Sequence, residues 1–246
     1  MRIGILGDVH SNFDALQAVV GELKTANIDQ WVQVGDIVGY GAEPQKCLQV
    51  IRELNCTVCI GNHDAAVIGQ LPTEYFNPYA RQAVEWTASQ LNNEELEFLR
   101  QLPLVVEREH YTVVHGTMHL PEQFGYVMSV VEARDSLQKQ NTHMCFVGHS
   151  HVPAIYMQGS QDSDEVRVVF SPEVTALTSE CYKVLMNVGS VGQPRDEDPR
   201  AAYAIFDTDT GEASIRRVAY DVASAQRKIL AAGLPEVLAN RLALGV

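Results

Sequence analysis

Positive charge is in short supply in this sequence. Only 18 Lys and Arg stand against 31 Asp and Glu, a net charge of −13 over 246 residues. General binders of nucleic acid or of anionic membrane hold phosphate with clustered Lys and Arg. Neither partner is expected here, and an acidic chain offers no groove for tracking a strand. Long apolar runs are missing too, since none approaches the ~20 residues that cross a bilayer. The opening MRIGILGDVH places an acid and a histidine where a leader needs continuous apolar character. The five cysteines, Cys47, Cys56, Cys59, Cys145 and Cys181, are odd in number and scattered. Cys56 and Cys59 make a lone CxxC, but positions three apart on a strand face opposite ways, so core thiols are expected rather than zinc or redox chemistry. With no internal repeat, low-complexity tract or linker, residues 1–246 read as one cytoplasmic domain.

What the chain does contain is 46% hydrophobic and 20% charged residues, enough for a sizeable core. Apolar strands at 2–7, 31–34 and 57–60 alternate with helices, the first capped by Ser11 or Asn12 and the second opened by Pro44. This alternation predicts βαβ units and a parallel sheet. Residues 65–102 contain no strand and predict two helices, at 81–91 and 94–101. They read as a helical insertion at the sheet's edge or over its ligand face, with Tyr75, Phe76 and Tyr79 facing substrate, a second subunit or the core. Strands follow at 104–107, 111–114 and 144–147, with a helix at 130–140. From residue 154 the pattern is mainly β, at 154–157, 166–170, 182–187, 202–206 and 213–218, the last two joined as a hairpin by Asp209-Thr210-Gly211. A helical tail at 222–242 breaks near Gly233-Leu234-Pro235.

The chemistry lies where strands stop. Five apolar strands end in metal-capable side chains: Asp8 and His10, Asp36, Asn62 and His63, His115, then His149 and His151. Ligands gather at the carboxyl ends of strands in open α/β sheets, so residues distant in sequence can converge. One His after a strand is usually a satisfied or solvated histidine; five such coincidences are not. Two Asp, several His, one Asn and no thiolate suit Mn, Fe, Zn, Co or Ni. Even seven of these eight candidates exceed one tetrahedral ion and fit two divalent ions sharing a carboxylate. Metal pairs ~3.5–4 Å apart clamp the attacking and leaving oxygens of phosphoryl displacement and generate hydroxide near neutral pH.

The blocks Asp8-x-His10, Gly35-Asp36-(x)₄-Gly41, Gly61-Asn62-His63-Asp64, His115 and Gly148-His149-Ser150-His151 resemble the calcineurin-like metallophosphoesterase superfamily. That resemblance implies a four-layer α/β/β/α sandwich, two mixed β-sheets face to face flanked by helices. It implies one metal on Asp8, His10, Asp36 and His151, and another on Asp36, Asn62, His115 and His149. His63 would be a general acid with a pKa not far from neutral, and Asp64 would orient its imidazole.

Departures from the family narrow the reading. Its phosphoprotein phosphatases and diadenosine polyphosphate hydrolases carry Gly-Asp-x-Val-Asp-Arg-Gly in the second block and Gly-Asn-His-Glu in the third. Here Tyr40 replaces the arginine that grips phosphate, and Asp64 stands for glutamate. The chain looks more like small bacterial and archaeal phosphodiesterases. The expected activity is therefore dimetal phosphodiester hydrolysis of a small phosphate ester by a metal-bridging hydroxide. The alternatives are a phosphomonoesterase or nucleotide-polyphosphate hydrolase with another clamp such as Arg195, or a non-catalytic metal-binding scaffold. His119, Tyr126 and, in the Gly-rich loop 187–195, Ser190 and Arg195 are further candidate substrate contacts along with Tyr40. His110 and His143 lie at strand starts, away from the active face. The substrate, the metals and any oligomer are left open.

Overall fold

The computed structural model describes residues 1–246. Its first half runs β1 (Arg2–Leu6), α1 (Phe13–Thr25), β2 (Gln30–Gln33), α2 (Pro44–Glu53), β3 (Thr57–Val58), α3 (Asn62–Val67), α4 (Pro78–Gln90) and α5 (Asn93–Arg100). It continues through β4 (Val105–Glu107), β5 (Tyr111–Val114), α6 (Val130–Lys139), β6 (Met144–Val147), β7 (Ala154–Gln158), β8 (Val166–Phe170) and β9 (Val174–Leu177). β10 (Lys183–Asn187), β11 (Ala201–Asp207), β12 (Glu212–Val218), α7 (Val222–Ala231) and α8 (Glu236–Asn240) complete it. The helix starts follow local chemistry. Asn12 accepts from the Ala15 N–H, Asn77 from Ala80, and Ser129 from Glu132, each satisfying a free first-turn donor.

The strands form two six-stranded mixed sheets, in the orders β3-β2-β1-β11-β12-β9 and β4-β5-β6-β10-β7-β8. β1 runs parallel to β2, with Ile5 opposite Val32, and antiparallel to β11, with Ile5 opposite Ala204. Ile3, Ile5 and Val34 of the first sheet meet Phe146, Ile155 and Met186 of the second in a shared apolar layer. Leu16, Leu48 and Leu99 close the first sheet's outer face. Ala133 and Leu137 of α6 pack with Val147 and Tyr156 on the other. The four-layer α/β/β/α arrangement expected from the resemblance is therefore present. No helix is long and apolar enough to cross a membrane.

Three local expectations change. β9 does not stand out in the sequence, because its residues alternate between half-buried and exposed at a sheet edge. β3 stops at Val58, since the Ile60 N–H leaves the ladder for the Pro103 carbonyl at 2.9 Å. α4 begins at Pro78 instead of Arg81, with proline inside the first turn. The CxxC splits as expected, Cys59 lying between the sheets and Cys56 packing on the outer cluster.

The loop after β10 ties the two sheets together at their rim. The Gly192 N–H donates to the Asp8 carbonyl at 3.0 Å, and a Cβ there would strike the Val9 carbonyl. Gly192→Ala should therefore lose about 1–3 kcal/mol of unfolding free energy by overpacking. Gly21, inside α1 with open space around its would-be Cβ, should gain ~0.5–1 kcal/mol as Ala. Urea titration of both variants checks the pair, and equal effects would contradict it.

Candidate metal centre and its cavity

Each ligand candidate is delivered by a strand end, and both sheets contribute. Asp8 and His10 follow β1, Asp36 follows β2, Asn62 and His63 open α3 after β3, His115 follows β5, and His149 and His151 follow β6. Asp8, His10, Asp36, His149 and His151 all have positive φ, between 46° and 67°. This left-handed conformation is uncommon for residues other than glycine and clusters at functional sites. It turns each chain sharply, so a side chain that would continue past the sheet faces its neighbours.

Three overlapping groups of donors result: Asp8, His10 and His151; Asp36, His115 and His149; and His10, Asp36 and His63, which links the first two. His10 Nε2 lies 3.0 Å from His151 Nε2, and His151 Nε2 lies 3.3 Å from Asp8 Oδ1. In the second group His115 Nε2 is 3.0 Å from Asn62 Oδ1, 3.1 Å from His149 Nδ1 and 3.3 Å from Asp36 Oδ2. Asp36 Oδ2 is also 3.5 Å from His10 Nε2, which places this carboxylate between the groups. The Asp36 Oδ1 atom accepts the His63 backbone N–H at 2.8 Å. Gly61 is required here because a Cβ would occupy the Asp36 carboxylate.

The donor set fits metal ions on a direct test. The Nδ1–H of His10 donates to the Val38 carbonyl at 3.1 Å, and that of His151 to the Gln193 carbonyl at 2.6 Å. Carbonyls only accept, so in the neutral rings both Nε2 lone pairs point at each other with no proton between them. A shared cation resolves that conflict, and donors ~2.0–2.2 Å from one ion stand roughly 3 Å apart. His115 is oriented the same way, its Nδ1 against the Val34 carbonyl at 2.8 Å. Burial holds His10, His149 and His151 below the ordinary imidazole range, keeping their lone pairs free at neutral pH. Burial also works against the charges of Asp36 and His115. Their mutual attraction overrides it, holding Asp36 well below the usual carboxylate range and lifting His115 to about 9.

Other candidates fare differently. The His63 ring is packed by Tyr40 at 4.4 Å, His10 at 4.8 Å and Phe76 at 5.1 Å between centroids, and its buried Nδ1 has no hydrogen-bond partner. Burial lowers its pKa to about 4, in place of the near-neutral value expected. Asp64 does not orient that ring. Its two oxygens accept the Val38 and Gly61 N–H groups at 3.1 Å each, so it braces the Asp36 and Asn62 loops instead. Ser190 is fully buried, donating to the Asp8 carbonyl and accepting from the Gln193 N–H at 2.8 Å each, which leaves no donor for substrate. His119 is exposed and does not line the cavity; its N–H bonds the Thr117 hydroxyl. His110 is exposed and His143 bonds the Tyr182 carbonyl, both away from the site.

Tyr40, Tyr126 and Arg195 do reach it. A cavity of about 400 Å³ opens on Asp36, Asn62, His63, His149 and His151, and these three residues line it. Tyr126 stacks on His149 with centroids 4.0 Å apart and planes 17° apart. Arg195 lies over the Tyr40 ring at 5.7 Å. The segment 71–77 of the insertion, through Leu71, Pro72, Tyr75 and Phe76, forms another wall, so the insertion does cover the ligand face. Sequence reasoning missed Gln193. Its backbone carbonyl holds His151 while its side-chain Oε1 accepts from Arg195 Nε and Nη2 at 3.3 and 2.8 Å. No residue-type pattern signals a carbonyl partner.

The His115–Asp36 pair generates a pH dependence. A histidine raised from 6.5 to about 9 gives stability that is complete below about pH 6.5 and is lost as pH rises through 9. His63, lowered to about 4, has finished titrating below that range, and Asp64, raised to about 7, is mostly ionised from its lower end upward. The metal-stripped protein should therefore lose thermal stability between about pH 7.5 and 9, and His115→Gln should flatten the loss. Melting curves across that window measure it; an unchanged slope in the variant would refute the assignment.

Comparison with known proteins agrees with this geometry. The family profile described as "Calcineurin-like phosphoesterase superfamily domain" matches residues 1–211. The chain is 39% identical to an uncharacterized protein of Methanocaldococcus jannaschii over 247 aligned positions, 99% of this chain and 98% of that one. A metallophosphoesterase structure from Sphaerobacter thermophilus superposes with a TM-score of 0.88 at 41% identity, covering 100% of this chain and 99% of the other. A symmetrical bis(5′-nucleosyl)-tetraphosphatase of Vibrio vulnificus is 24% identical over 172 residues, 68% of this chain and 64% of that enzyme.

Proposed function

The chain belongs to the calcineurin-like phosphoesterase superfamily, and we propose that it is a single-domain, cytoplasmic, metal-dependent phosphodiesterase acting on a small phosphate ester. One divalent ion would be held by Asp8, His10, Asp36 and His151, and a second by Asp36, Asn62, His115 and His149. Mn, Fe, Zn, Co and Ni all suit this nitrogen-rich set. Such ions, when bound, supply water activation at neutral pH and neutralise charge on phosphoryl oxygens. The chain supplies the rest. His63, wedged among rings at the cavity floor, delivers a proton to the leaving alkoxide. An anionic ester beside it favours the protonated imidazole that burial alone disfavours.

The observation that carries the diester reading is the state of Arg195. It is the one Lys or Arg lining the cavity. Gln193 Oε1 occupies its Nε and Nη2 atoms, and the Tyr40 hydroxyl lies 3.5 Å from Nη2. The Nε–Nη2 edge, one of the two edges with which a guanidinium grips a phosphate dianion bidentately, is thus engaged, which leaves Nη1 to contact a non-bridging oxygen. A diester monoanion asks for no more. A phosphomonoesterase is the second reading, since Arg195 returns positive charge to the corner where Tyr40 replaces an arginine.

With added Mn²⁺, bis(p-nitrophenyl) phosphate should be hydrolysed faster than p-nitrophenyl phosphate; the reverse order selects the monoesterase. Elemental analysis should find that Asp36→Asn loses bound metal along with activity, whereas His63→Ala retains metal. The latter should lose about 10²-fold or more on esters with poor leaving groups and less on p-nitrophenyl esters. Full metal occupancy in Asp36→Asn would overturn the bridging role.

A further inference from the structure

Above its floor of imidazoles and carboxylates the cavity has two walls of a different character. The first is the segment 71–77, which brings Tyr75 and Phe76. Tyr75 is 92% exposed, with no apolar burial to account for an aromatic there. The second is the loop 120–126, which brings Phe124 and Tyr126. Tyr126 has one face flat on His149 and is still about half-exposed, so the other face is open. Leu120 and Phe124 have φ of 53° and 49°, conformations that bulky side chains rarely adopt. The loop therefore holds an unfavourable backbone while presenting aromatic rings to the cavity.

Charge is sparse on these walls. Arg195 is alone among Lys and Arg, and Glu122 adds a carboxylate. Building on the diesterase reading, we propose that the site takes a diester with a single phosphate whose retained alcohol carries a flat, uncharged ring, a nucleoside being the simplest example. The ring lies between Tyr126 and the Tyr75–Phe76 segment. Stacking on an aromatic side chain is worth roughly five- to hundred-fold per base, and Tyr126, already held flat on His149, loses little freedom on binding. A polyphosphate chain is disfavoured, because every added phosphate brings negative charge against walls that carry Arg195, Glu122 and no second Lys or Arg. This separates the chain from the tetraphosphate specificity in the name of its Vibrio relative.

The test keeps the leaving group constant. Thymidine 5′-(p-nitrophenyl phosphate) and methyl p-nitrophenyl phosphate both yield p-nitrophenol as water adds to phosphorus and the P–O bond to the aryl group breaks. With Mn²⁺ present, kcat/KM for the nucleoside ester should exceed that for the methyl ester by tenfold or more. Tyr126→Leu and Tyr75→Ala should each move that ratio towards one, circular dichroism confirming the fold. Diadenosine tetraphosphate should be cleaved at least tenfold less efficiently than the nucleoside ester. Equal kcat/KM for the two esters, or preferred cleavage of the tetraphosphate, overturns the proposal. Should neither ester turn over, the diesterase reading fails separately and calorimetric binding decides. Thymidine 5′-(methyl phosphate) binding tenfold tighter than dimethyl phosphate upholds the ring site, and equal affinity overturns it.

Discussion

Five side chains at the centre of this protein stand on backbone that their residue types disfavour. Asp8, His10, Asp36, His149 and His151 are all left-handed, at a cost of order 1–3 kcal/mol each. Together they weigh roughly as much as the ~5–15 kcal/mol net stability of a typical domain. Such turns persist only where hydrogen bonds over-determine them. The His10 N–H reaches the Asp36 carbonyl at 3.0 Å, and the Ser11 N–H reaches that of Ile37 at the same distance. Across the sheets, the His149 N–H donates to both Asp8 oxygens at 3.0 and 3.1 Å. The loop after β10 closes the arrangement through Val191 to Gly7, Gly192 to Asp8 and Ser190 to Asp8. Face-to-face sheets are what bring these separate strand ends within reach of one another.

The overall charge says little about what enters. A net charge of −13 repels phosphate at long range, but screening confines that field to about 8 Å at physiological salt. Inside the cavity the local groups decide. Asp8 and Asp36 are buried carboxylates, which persist only when paired. Asp36 has His115 beside it, and both Asp8 oxygens accept the His149 N–H. Divalent cations held there would complete the same balance and give an acidic rim an anion site.

Much of this was legible in the sequence, for a physical reason. Ligand types directly after short apolar strands mark the carboxyl ends where sheets present side chains, so all seven metal candidates and His63 could be named. What failed to show was anything carried by backbone. Asp64 reads as a partner for the neighbouring imidazole, yet a carboxylate three residues after Gly61 is equally a helix cap, and it is the cap that forms. Ser190 reads as a phosphate donor, yet its hydroxyl is used up inside its own loop. His119 carries no strand-end context, and it stays outside. The weak edge strand β9 was invisible because half-exposed positions lack the alternation of a buried face.

Floor and walls have separate origins. The floor comes from strand ends that the fold itself positions, while the walls come from the insertion and the 120–126 loop, where specificity can vary without disturbing the sheets. Gln193 joins the two. Its carbonyl fixes the tautomer of His151, and its side chain fixes Arg195. One residue therefore contacts both a floor histidine and the wall's only Lys or Arg, so the positions of His151 and Arg195 share a support that the bulk charge of the chain does not provide.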